Sequence, residues 1–192
     1  MNVSHENAQE SLSTIQDVTV RTHRAIASAY ASDLLILWGA LWTIEFTAAH
    51  FYPAYAFHIF MVMSIVGCIG TAVIYWVFYS KALIREAGSQ SAIWRIALFW
   101  ILLYAYAALW HFLLAPFNGL QGNAFISTVA MFAFVVIGLW FGCRFMIILG
   151  LAVTIAVLIG FYLLTAYYCL WMALMGGGAI LGTGLYTRLR WR

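Results

Sequence analysis

Four side chains could hold a ligand or carry a proton from within apolar surroundings: Glu45, His50, His58 and His111. Glu45 is followed at helical spacing by Ala48 and Ala49. Small residues there let a second helix approach, so Glu45 is expected to point inward. His111 shares a helical stripe with Tyr104, Ala107, Ala108 and Ala115, which is again small and inward-looking. His50 and His58 flank Pro53. Together Glu45, His50, His58, Tyr104 and His111 form a candidate polar pocket. Three chemistries use such residues: a zinc site with nitrogen and oxygen ligands, a bis-histidine haem, and a proton path joining a carboxyl to a titrating histidine. The spacings support none of them strongly. No HExxH pattern is present, and Glu45 and His50 stand about 140° apart around a helix. The bland alternative is equally concrete. His50 and His58 are then interface residues beside a turn, His111 donates to a backbone carbonyl, and Glu45 hydrogen-bonds to a Tyr or Thr. No metal and no cofactor is expected. No GxSxG, Walker or GxGxxG motif stands between a strand and a helix, so no catalytic set is assigned.

The elements that must position these residues follow from composition. Of 192 residues, 66% are hydrophobic and 8% charged. A soluble domain carries about 25% charged residues and needs them to stay in water. The chain is therefore expected to dissolve in lipid, as an all-α bundle of transmembrane helices. A span needs about 20 apolar residues. Runs over 34–52, 55–79, 93–115 and 124–142 meet that length. The run from Phe145 to Thr187 contains no charged residue, yet as one helix it would reach about 65 Å. It must fold back. The cluster Tyr162, Tyr167, Tyr168 and Trp171 marks an interface belt, which puts a tight turn at Leu164–Tyr167 and spans at 145–164 and 167–187. Six spans result, forming one domain over 33–192.

The charges give an independent test. With the N-terminal side inside, the inner segments hold Arg21 and Arg24; Lys81, Arg85 and Arg95; Arg144; and Arg188, Arg190 and Arg192. Those are all nine basic residues, and the outer turns hold none. Cytoplasmic loops are the ones enriched in Lys and Arg, so both ends are expected in the cytoplasm. Residues 1–32 read as a cytoplasmic amphipathic helix, with Leu12, Ile15, Val18 and Thr22 at three- and four-residue spacing and Ser4 as N-cap. No cleaved signal peptide is expected, because Glu6, Glu10 and Asp17 occupy its place without a basic residue.

Cys68, Cys143 and Cys169 fall at mid-span, inner edge and outer edge, too far apart in depth for a disulfide. They read as small packing residues. Helix packing is expected at two small-xxx-small pairs, Gly138 with Gly142 and Gly178 with Gly182.

Two segments carry a resemblance. Leu35-Ile36-Leu37-Trp38-Gly39-Ala40-Leu41-Trp42 opens the first span. Gly176-Gly177-Gly178-Ala179-Ile180-Leu181-Gly182 leads to Arg188-Leu189-Arg190-Trp191-Arg192. The pattern resembles small uncharacterised bacterial multi-pass inner-membrane proteins with a Trp-rich first helix and a Gly-rich, basic end. The resemblance implies a bacterial plasma membrane and transfers no catalytic residue. Three functions follow in order. The first is a non-enzymatic accessory or regulatory membrane component. The second is a small-solute or proton transporter using Glu45 and His111. The third is a metal- or haem-binding redox protein. The expected partners are the lipid bilayer and either a membrane protein or a second copy. A net charge of +3 offers nucleic acid no basic surface.

Overall fold

The computed structural model describes residues 30–80, 90–116 and 118–190. The amphipathic helix expected over 1–32 lies outside them but for its last three residues, as do Lys81, Arg85 and Arg192. Among the described residues the regular structure is all-α, with six helices long and apolar enough to cross a membrane. We number them α1 (Tyr30–Phe51), α2 (Ala56–Ser80), α3 (Gln90–Leu113), α4 (Gly119–Phe141), α5 (Arg144–Leu163) and α6 (Thr165–Leu189).

The turns are short, and each has a local cause. Pro53 opens a single 3₁₀ turn, Pro53–Tyr55, which leads straight into α2. Proline suits that first position because the missing N–H would have no helical partner. Helix α4 starts at Gly119, ahead of the apolar run at 124. The reason is a capping box: Asn118 Oδ1 accepts from the Gln121 N–H at 2.7 Å, and Gln121 Oε1 accepts from the Asn118 N–H at 3.1 Å. Gly142 closes α4 in the left-handed conformation, φ 64°, and the Cys143 N–H returns to the Gly138 carbonyl at 2.8 Å. A side chain at Gly142 would be strained, so its task is the turn and not packing. Between α5 and α6 the chain reverses at Leu164, and α6 opens on the 3₁₀ turn Thr165–Tyr167.

Helix α6 is composite. Tyr168–Met172 is α-helical, Ala173–Gly178 is a π-helix, and Ala179–Arg190 returns to α. A π turn leaves carbonyls displaced from their regular partners. The Thr43 hydroxyl of α1 donates to the Gly39 carbonyl at 2.8 Å and stands 3.5 Å from the Ala173 carbonyl of that π segment.

The core joins α1, α4, α5 and α6. Its centre is Phe46, Met131, Val153, Tyr168, Met172 and Ile180, all almost fully buried. Glycines set the closest approaches. Gly177 lies on Thr43, Leu181 on Gly39, and Gly184 on Ile36. The steps are four then three along both helices in opposite directions, so α1 and α6 are antiparallel and meet backbone to backbone. An ion pair, Asp33 to Arg188 at 3.1 Å, extends the same register. Gly138 lies under Ile147, and Gly150 under Met131 and Val135, which seats α4 on α5. Gly160 accommodates Trp171, whose indole N–H donates to the Ala156 carbonyl at 2.8 Å.

Helices α2 and α3 flank this core, which α2 meets through Phe60, edge-on to Phe46 at 5.3 Å. About a third or more of each of the other four spans is buried, against 6% of α2 and of α3. Helix α2 leans on α1, where Gly67 and Gly70 receive Trp38 and Leu37, and the Trp38 indole donates to Thr71 Oγ1 at 3.1 Å. Helix α3 leans on α4, with Phe99 on Trp140 at 5.5 Å.

Candidate functional site

Glu45 sits two-thirds of the way along α1, on the face that also presents Leu41 and Ala49, and only 6% of it is exposed. Its position follows from local pattern. Gly39, Thr43 and Ile36 turn one face of α1 to α6, and Glu45 lies on the opposite side, seven residues after the Trp38 that packs on α2. Among the described residues its carboxyl makes no hydrogen bond and no ion pair. Tyr104 of α3 lies within electrostatic range of both Glu45 and Cys68 of α2. The three residues belong to the first three helices, with Tyr104 as the link between the other two. Tyr104 and Cys68 remain exposed on their outer sides.

The other expected pocket residues lie elsewhere. His50 ends α1 with its ring 6.3 Å from that of Tyr167, beside the turn into α6. His58 is exposed at the start of α2, edge-on to Phe57. His111 is half-buried over Gly122 at the start of α4. Tyr104 thus lies within electrostatic range of Glu45, and the three histidines sit against separate neighbours. Within the stripe Ala107 is the buried residue and Ala108 is exposed. No three His, Cys, Asp or Glu side chains gather at metal-binding spacing among the described residues.

The glycine pairs divide in the same way. Gly138 packs closely on Ile147. Gly142 and Gly182 meet nothing within the chain, and Gly178 has only the Ala173 carbonyl of its own helix near it. The close approach to α1 falls instead to Gly177 and Gly184.

Two features carry no mark in the sequence. Cys68 reads as a packing residue, and nothing in the sequence announces that α2 and α3 bring it within electrostatic range of Tyr104. The Tyr168 hydroxyl is sealed in the core beside Ser127, without a hydrogen bond, and Ser127 Oγ is 3.5 Å from Asn123 Oδ1. The Asn123–Ser127 spacing of four could have suggested a polar stripe on α4, but nothing in the sequence aims Tyr168 at it.

No family model, no curated protein and no solved structure matches this chain. Its function is accordingly read from its own residues.

Proposed function

We propose that this protein is a non-enzymatic accessory component of a bacterial plasma membrane that takes up another membrane protein against α2 and α3. One observation carries the reading: four helices share a core, while α2 and α3 flank it and leave almost all of their spans unburied. The seams that hold them are specific, glycine on tryptophan and ring on ring, so the two helices are held in place rather than loosely attached. Helices so placed offer a rigid, two-walled surface for a third. The distribution of basic residues supports cytoplasmic ends for the chain.

The test is purification of the tagged full chain from its native membrane in mild detergent. A companion membrane protein in fixed ratio is expected. Ile65→Trp on α2 or Leu102→Trp on α3 should strip it, and Ile155→Trp on the exposed side of α5 should not. Loss of the companion only with Ile155→Trp, or purification of the chain alone, would overturn the reading.

A second reading, a proton carrier, is favoured by Glu45, a carboxyl within a span and without a hydrogen bond among the described residues. Ionisable groups there commonly mark ion or proton routes. Acidification of liposomes holding the purified protein, abolished by Glu45→Gln, would establish it.

A further inference from the structure

We infer that Glu45 is the anchor for a basic side chain carried on a transmembrane helix of a different protein, received between α2 and α3. This rests on the accessory reading above and names the partner's chemistry. A carboxyl within hydrocarbon is costly whether charged or neutral unless it is hydrogen-bonded, and intramembrane charges are usually paired. Glu45 is more than nine-tenths buried and has no partner among the described residues. It is also not sealed. Among the described residues, the one side-chain polar atom both closed off and unbonded is the Tyr168 hydroxyl. The Glu45 carboxyl, equally unbonded, therefore keeps some exposure, and Tyr104 of α3 lies within electrostatic range of it.

The surroundings select the occupant. A metal ion would want several oxygen or nitrogen ligands, and here there is one carboxyl, one phenol and one thiol. A lysine or arginine needs one carboxyl and apolar surface along which to lay its stem, and the exposed sides of α2 and α3 are apolar, with Ile65, Ile69, Ile101 and Leu102 among them. The occupant is not a second copy. All nine basic residues of this chain lie outside the apolar runs or within their first two or last few residues, so none can reach the depth of Glu45 from a neighbouring copy's span.

The test uses the full chain in its native membrane, with a photoreactive amino acid at Ile65, at Ala108 or, as control, at Ile155. Adducts from the first two positions should map to a helix of another membrane protein with a lysine or arginine inside its apolar stretch. Glu45→Leu should lower the adduct yield about tenfold or more, in line with the loss of a charge-assisted hydrogen bond, and Glu45→Gln should keep part of it. Exchanging the two charges, with Glu45→Lys and glutamate at the partner's basic position, should restore it. If Glu45→Leu fails to accumulate, Glu45→Gln combined with methionine at the partner's basic position reads the same pairing. Adducts that persist unchanged in Glu45→Leu and Glu45→Gln, on a helix without a basic residue, would overturn this inference and leave the accessory reading standing. Absence of any adduct with another membrane protein would remove both.

Discussion

A single thiol shows how position changes reactivity in this chain. Cys143 lies in the two-residue turn between α4 and α5, where its Sγ sits 3.7 Å from the Phe141 carbonyl and partial burial pushes its pKa up. The thiolate is the nucleophile, so a raised pKa means less of it at neutral pH. With Cys68 and Cys169 replaced by alanine, alkylation of the detergent-solubilised protein at pH 7 should run slower than that of a free cysteine. Its rate should keep climbing above the ordinary thiol range. A half-maximal rate at or below that range would contradict the burial of the turn. Glu45 stands out at this scale because an acidic residue inside an apolar run is costly to place there. The Tyr168 hydroxyl was not. A tyrosine near a span end reads as a belt residue, and only its depth beside Ser127 tells otherwise.

Helices were legible where packing was not, and the cause is the solvent. A run of apolar residues with charges at its ends must cross the bilayer, so six helices could be counted without a structure. Which faces meet is a separate matter, because lipid and protein interior are equally apolar and no contrast marks the buried side. Helix α6 carries two glycine stripes, Gly178 with Gly182 and Gly177 with Gly184. Nothing in the sequence ranks them, and the placement of α1 selects the second. The capping box at Asn118 and Gln121 is the opposite case, a readable signal for the start of α4 that the apolar run obscured. The glycine assignment predicts a sharp contrast. Gly177→Val and Gly184→Val should each lower stability by about 2 kcal/mol or more, because the added carbons meet backbone of α1. Gly182→Val should fall within about 0.5 kcal/mol of the parent, since its surroundings are open. Thermal unfolding of the three variants in one detergent decides it, and equal losses at Gly182 and Gly184 would refute the register.

At the scale of the whole molecule, the arrangement of charges makes a claim about sidedness that the core leaves open. Fusions to a reporter active only in the cytoplasm should give signal after Arg192 and none after Gly119. The reverse pattern would invert the protein. One structural feature bears on how any such fusion is made in the cell. The seam of Gly39, Thr43 and Ile36 on α1 receives Gly177, Leu181 and Gly184 of α6. The ribosome delivers α1 well before α6, with four spans in between. Until the sixth helix arrives, α1 waits in the membrane with its close-packing face uncovered and Glu45 in an unfinished setting. The last helix acts as the clasp of the bundle, and its arrival is the moment at which a nascent chain becomes distinguishable from an interrupted one. The uncovered glycine face then belongs to the unfinished chain alone, and closure erases it.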